Sequence, residues 1–345
     1  CSLSFALDKK EIKSFSFQKK AKMLIQSNRP FIFTTLVAVT IYAAVTFGPL
    51  PALASMVFSS SSDDLTNLKQ HYVSQVSSQA KVAASYEFLA PLSSRPYVYS
   101  LHYAFLGQKQ YSKETYELPE IDTLLIDFQD FIVYQVQFPE SELYGNAKVS
   151  GGERIRSLIN DRGFTVSQIT DRFALLKRNE NSDVPLYFSS QSKPDIKNVI
   201  NKKITDQITM AGWNPLSQNQ DAHPQTEEGW KTVPISIVMS ATKKVEENYQ
   251  LQLEAGEYKK IFPLAYGLYP TSEWKRNEWV TSNYWLLFPE EALQDSQNLM
   301  ITLVKPSAEK TPYLGLDGQC SVELNNLIWE EIGEKASIPL QSLTW

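Results

Sequence analysis

The feature that most constrains this chain is an uncharged apolar run, Phe31 to Leu53, reading FIFTTLVAVTIYAAVTFGPLPAL. At a rise of about 1.5 Å per residue, roughly 20 such residues cross the hydrocarbon core of a bilayer, so the run predicts one transmembrane helix. Asn28, Arg29 and Pro30 close whatever precedes it, and Gly48, Pro49 and Pro51 break it on the far side. Seven basic residues stand against two acidic ones before residue 31. By the positive-inside rule that flank, residues 1–30, is cytoplasmic, and the rest lies outside the plasma (cytoplasmic) membrane. The flank also carries Phe15, Phe17, Met23, Leu24 and Ile25 among its lysines. That pattern suits either an interfacial loop on the bilayer surface or a solvated basic loop. A cleaved signal is the competing reading, since Ala52-Leu53-Ala54 precedes Ser55 in an A-x-A-like pattern. A flank of about 30 residues and so long an apolar run exceed the usual signal dimensions, which favours the retained anchor. Cys1 stands where a start methionine would, and predicts a piece of a longer protein.

Beyond residue 30 the chain holds 26 basic and 36 acidic residues, a net charge of −10. An acidic body excludes a nucleic-acid partner, which would need a basic face. The two cysteines, Cys1 and Cys320, fall on opposite sides of the predicted membrane, so neither a disulfide framework nor a cysteine metal site is expected. No Asn-x-Ser/Thr sequon occurs.

The body reads as α+β and multidomain. Ser59 to Ser62 is a polar tether, and Asp63 to Val76 has the spacing of an amphipathic helix. Strands are expected at Lys81–Ser85, Tyr97–Leu101 and Ile121–Ile126, the last apolar throughout and so buried on both faces. Helices are expected at Tyr86–Leu92 and Gly152–Asn160, with Gly163 closing the second. Phe164–Val166 and Phe173–Leu176 form a hairpin. Residues 63–180 therefore read as a small α/β domain. Residues 181–228 turn polar and read as a linker or insertion, with one helix from Ile196 to Met210. Residues 229–345 carry short alternating segments at Val233–Val238, Tyr249–Leu253, Tyr284–Phe288, Leu299–Val304 and Ser321–Leu324. These predict an antiparallel β-sandwich, jelly-roll-like.

No phosphate-binding glycine loop, nucleophile elbow or zinc-protease helix motif is present. His71, His102 and His223 lie far apart without ligand spacing, and neither a metal nor a cofactor is expected. Three clusters remain as candidate sites. Ser85 and Glu87, with Arg95 and Tyr97, could line a polar pocket at the carboxyl edge of the sheet, although Arg95 could equally hold the domain together by pairing with Glu87 or Asp127. Asp127 and Asp130 end the apolar strand, where paired carboxylates serve acid–base or metal work, or simply cap a turn. Trp274 and Trp279, among Tyr266, Tyr269, Tyr284 and Trp285, could stack on sugar rings or fill the sandwich core.

One resemblance adds to these readings. It rests on an apolar helix ending in Gly48-Pro49-Leu50-Pro51, the segment Val82-Ala83-Ala84-Ser85 through Leu92-Ser93-Ser94-Arg95-Pro96-Tyr97-Val98-Tyr99, and the strand Ile121 to Asp127. Over residues 31–178 that order resembles the C-terminal end of the domain of unknown function 2079 family, polytopic membrane proteins related to the C-type integral-membrane glycosyltransferases. The tail, with Pro263-Leu264-Ala265-Tyr266-Gly267-Leu268-Tyr269-Pro270-Thr271, Trp274 and Glu278, resembles the accessory sandwich of some such proteins. The resemblance implies an extracytoplasmic accessory region of a glycosyltransferase-like protein that uses lipid-linked sugars. Its implied partners are the lipid bilayer, a glycan or lipid-linked sugar, and the remaining transmembrane helices of the parent. The relatives' catalytic acids lie in loops that nothing here matches, so the implied region is not catalytic by itself. A single-pass anchored binding module is the alternative, and a hydrolase built on Glu87, Asp127 and Asp130 a third.

Overall fold

The strand with the least choice about where to lie is β3 (Thr123–Asp127), because all five of its residues are buried. In the structure, a computed structural model, it is the centre of a five-stranded mixed sheet. The structure describes residues 34, 35, 37–40, 42, 65–109, 112, 114–137, 150–178, 180, 185–216, 229–307 and 328–343. Residues 1–64 and 65–345 form two compact units.

In the first unit, residues 34, 35, 37–40 and 42 are helical, with Val39 and Tyr42 exposed. Among the described residues no helix is long and apolar enough to cross a membrane. Most of the run Phe31–Leu53, the basic flank and the tether lie outside the described residues, so the expected span is not tested there.

The second unit opens with α1 (Thr66–Gln75), β1 (Val82–Ala84), α2 (Tyr86–Leu92), β2 (Val98–Ser100), α3 (Leu101–Leu106), β3, α4 (Gln129–Gln137) and α5 (Gly151–Asp161). A hairpin of β4 (Phe164–Thr170) and β5 (Phe173–Arg178) follows. The sheet order is β2-β1-β3-β5-β4, with β1 parallel to β2 and β3 and the hairpin antiparallel to β3. The strands, α1, α2 and α5 fall where the sequence places them, whereas α3 and α4 were not expected. The helix α5 is capped by Ser150, whose Oγ accepts the Glu153 N–H at 3.1 Å. Gly163 follows its end at φ +67°.

The remaining strands are β6 (Tyr187–Ser190), β7 (Asn198–Lys203), β8 (Ile208–Pro215), β9 (Trp230–Ala241), β10 (Gln250–Ala255), β11 (Tyr258–Pro263), β12 (Glu278–Pro289), β13 (Asn298–Pro306) and β14 (Trp329–Pro339). The short helix α6 (Glu290–Gln294) joins β12 to β13. They form two antiparallel sheets, β11-β10-β13-β14 and β6-β12-β9-β8-β7, as a β-sandwich. Two expectations change here. Ile196–Met210 is not a helix but parts of β7 and β8. Residues 187–215 of the expected linker supply three strands to a sandwich sheet. The physical reason is visible in β7, an edge strand that turns every second residue to solvent and so tolerates Asn and Lys. The expected strand Ser321–Leu324 lies outside the described residues.

One face of the mixed sheet (Val82, Ala84, Leu125, Phe173, Leu175) packs under α1 and α2, against Leu68, Tyr72, Phe88 and Leu92. The other face (Ala83, Leu124, Ile126, Ala174, Leu176) belongs to a core that runs without interruption into the sandwich. The α/β and β portions therefore share one core and are not separately packed domains. At their seam a Cβ on Gly152 would stand 2.1 Å from the carbonyl oxygen of Gly267, so only glycine lets α5 approach that turn. The turn is strained, with Ala265, Tyr266 and Gly267 all at positive φ (47°, 57° and 71°). Phe128, 4.6 Å from the Tyr266 ring, and a bond from the Tyr266 hydroxyl to the Asn283 carbonyl hold it.

Candidate functional site

From β1 the chain runs through α2 to β2 on one side and then crosses to β3 on the other. The carboxyl ends of β1 and β3 therefore flank the point where strand order reverses, the place where open α/β sheets bind ligands. Ser85 and Glu87 follow β1, and Asp127 and Asp130 follow β3, so the fold brings these four together.

Ser85 stands at the N-cap position of α2 but its hydroxyl does not cap the helix. It accepts the Asp127 N–H at 2.9 Å and so clamps β1 to β3. Asp127 Oδ1 accepts the Gln129 N–H at 2.9 Å, which starts α4. Asp130 accepts the Tyr86 N–H at 3.1 Å and the Tyr134 hydroxyl at 2.9 Å. Carboxylate oxygens of Glu87, Asp127 and Asp130 lie within 4.8 Å of one another.

Two cations answer them. Arg172, from the β4–β5 turn, reaches Asp127 at 3.2 Å and Glu87 at 3.5 Å, and stacks 4.9 Å from the Phe173 ring. Lys69 of α1 pairs with Glu87. Burial pushes the Asp127 carboxyl well above the ordinary carboxylate range; Arg172 opposes this, and the neighbouring Glu87 adds to it. Burial raises Asp130 too, against the pull of Tyr134 and the Tyr86 N–H. Burial also penalises the Glu87 anion, but the hydrogen bond with Asp127, then Arg172 and Lys69, outweigh it and hold Glu87 below its usual value. Glu87 and Asp127 are thus pushed in opposite directions as one coupled, hydrogen-bonded pair.

Three carboxylates could in principle hold a hard divalent cation. Here their oxygens already face a guanidinium, an ammonium, a phenol and two backbone N–H groups, and an incoming dication would meet two positive charges. The donor set does not fit a metal without expelling them.

The other expected site residues lie elsewhere. Arg95 does not pair with Glu87 or Asp127. It donates to the carbonyls of Val73 (3.2 Å), Val76 (2.8 Å) and Ser77 (3.3 Å), closing the C-terminus of α1. Tyr97 is exposed at the opposite end of the strands, where Lys81 lies 5.9 Å from its ring. The expected aromatic platform is core: Tyr266, Tyr269, Trp274, Tyr284 and Trp285 are all buried, and Trp274 donates its indole N–H to the Tyr269 carbonyl at 3.1 Å. Trp279 is half-buried under Lys193, 5.7 Å away. The sequence reading missed Arg172, Lys69 and Tyr134. Of these only Tyr134, four residues after Asp130 on one helix, carried a local signal.

A cleft of about 430 Å³ opens at the seam, between α5, β4 and β6. Arg156, Asn160, Thr165, Tyr187 and Ser189 are its polar lining, and Ile159, Phe164, Val166, Leu186 and Leu268 lie among the apolar. Tyr187 stacks on Tyr269 at 5.7 Å, and Arg156 reaches Glu273 at 3.3 Å. The cleft lining includes none of the three clustered carboxylates.

Compared with known protein families, with curated proteins and with solved structures, the chain matches none of them.

Proposed function

We propose that this chain is an extracytoplasmic accessory module, tethered by the apolar run Phe31–Leu53, that binds or assembles and does no chemistry itself. Its best-fitting role is the C-terminal part of a membrane glycosyltransferase-like protein. In that reading its sandwich, with β9 pairing β12 around the β10–β11 hairpin, is jelly-roll-like. The observation that carries the non-catalytic reading is the closed carboxylate cluster. A catalytic acid or base must face a space where a reacting atom can sit. Glu87, Asp127 and Asp130 instead face Arg172, Lys69 and Tyr134, and the cleft is elsewhere.

A hydrolase is the second reading, favoured by one observation: neighbouring carboxyl groups with opposite shifts, as an acid and its partner base have. Glycoside-cleaving carboxylates, however, stand about 5–9 Å apart so that the sugar fits between them. These are in direct contact.

The test of the tethered module uses the full chain. Alkaline extraction should leave it in the membrane, residues 65–345 should be cut by protease added from the extracytoplasmic side, and deletion of residues 31–53 should release it. Extraction of the intact chain at high pH, or protection of the body from outside protease, contradicts the proposal.

A further inference from the structure

The cleft at the seam lies between two strands that each end a sheet. Among the described residues β4 pairs only with β5, and β6 only with β12. The direction of the main-chain groups of β6 follows from one bond. The Asn283 N–H donates to the Leu186 carbonyl at 2.9 Å, so Leu186 turns its polar groups toward β12. In an antiparallel ladder successive residues alternate. With Ser282 opposite Tyr187 and Val280 opposite Ser189, it is Phe188 and Ser190 that continue the ladder, while Tyr187 and Ser189 turn their N–H and C=O outward. Among the described residues none hydrogen-bonds to those outward groups, and both residues line the cleft.

An open strand edge is a template for another strand. Across from it, Phe164, Val166, Leu176, Ile159 and Leu268 give the cleft an apolar floor. Such a floor can take alternate side chains of an extended segment while the main chain is held by the edge. The volume of about 430 Å³ and the four-residue length of β6 suit a short stretch of peptide, not a folded surface.

We propose that this cleft is a peptide site: an extended segment of a partner protein, apolar at alternate positions, adds as a strand to the β6 edge through the main chain of Tyr187 and Ser189. A sugar, by contrast, would leave the row of outward amides mostly unmatched. The proposal does not depend on how the chain meets the membrane.

The probe is a hexapeptide of alternating valine and threonine, amidated and carrying fluorescein on its N-terminus, titrated by anisotropy against the full chain in non-ionic detergent. It should bind saturably, and the same peptide methylated at every backbone nitrogen should bind at least tenfold more weakly. Amide exchange at Tyr187 and Ser189 should slow at least tenfold when the unmethylated peptide is bound. Ser189→Pro removes one outward N–H without touching the β12 ladder, and should weaken binding at least tenfold, whereas Ser189→Ala should not. Equal binding of both peptides, no binding of either, unchanged exchange at the two amides, or displacement of the peptide by a plain disaccharide each overturns the proposal. Should Ser189→Pro fail to fold, the methylated peptide and the exchange measurement decide it on the unaltered chain.

Discussion

Two charge clusters hold residues 65–345 together, and they are built on opposite terms. At the seam Asp171, in the β4–β5 turn, pairs one-to-one with Lys260 of β11, and both are buried. Lys260 also donates to the Leu287 carbonyl, and Asp171 accepts the Leu287 N–H at 2.9 Å. The rings of Phe288 and Phe262 lie 4.8 and 5.3 Å from the ammonium. At the carboxyl edge of the mixed sheet, three carboxyl groups face two cations. The matched pair sets one cation against one carboxylate. The unmatched cluster holds carboxyl groups shifted in opposite directions, so its effect on stability varies with pH. A perturbed carboxylate can therefore mark a structural joint as readily as an active site.

The strongest way to break this comparison is to remove one member of the matched pair. Lys260→Met should strand the Asp171 carboxylate in the core and cost about 3–5 kcal/mol in urea unfolding at neutral pH. Adding Asp171→Asn should recover part of the loss. A cost below about 1 kcal/mol would mean that the seam is wet and the two clusters are alike.

Arg172→Met should cost less, about 1–3 kcal/mol, because the side chain is partly exposed and the cluster can take up a proton instead. The loss should shrink on acidification, where carboxyl groups left without the guanidinium are neutral. Unfolding at two pH values checks this, and a loss that grows toward acid would contradict it.

A smaller effect separates the two directions of titration. Glu87 is held below its ordinary value of 4.5, so its contribution is present above that value and is lost as pH falls through the folded pKa. Asp127 and Asp130 are raised, so their contribution is fullest in acid and is lost as pH rises through theirs. Glu87→Gln should flatten the acid limb of stability against pH, and Asp127→Asn the other limb, each by an amount of the order of 1 kcal/mol.

Smallest of all, Trp279→Ala should shift stability by about 0.5 kcal/mol or less, as expected for a half-buried residue near the end of β12. Trp274→Ala, deep in the core, should cost about 3–5 kcal/mol. Equal costs would mean that Trp279 is more than a surface ring.

Much of the mixed sheet was legible because its signals are local. The apolar run ending at Asp127, and Gly163 after the helix expected at Gly152–Asn160, each announce themselves within a few residues. The edge strands β6 and β7 did not, since strands facing water are poor in the apolar residues that identify a strand, and the start of β8 was absorbed into the helix expected from Ile196 to Met210. Half of the site was legible too: Ser85 and Glu87 were found because strand ends in α/β sheets carry ligands, and Asp127 and Asp130 as an acidic pair ending an apolar strand. Arg172 was not, because it arrives from a hairpin turn 45 residues after Asp127, which nothing in the local sequence indicates. Arg95 looked like the natural partner by proximity in sequence, yet the three open carbonyls at the end of α1 claimed it.

The central claim is that Glu87, Asp127 and Asp130 are closed by their own partners. Carboxyl-carbon NMR of the full chain in detergent, titrated with and without magnesium, manganese or calcium, tests it most directly. The account predicts Asp127 titrating above the ordinary carboxylate range, Glu87 below it, and neither moved by the diamagnetic ions nor broadened by manganese. A divalent ion that lowers the Asp127 pKa, or manganese broadening confined to these three carboxyls, would contradict it and make the cluster a metal site.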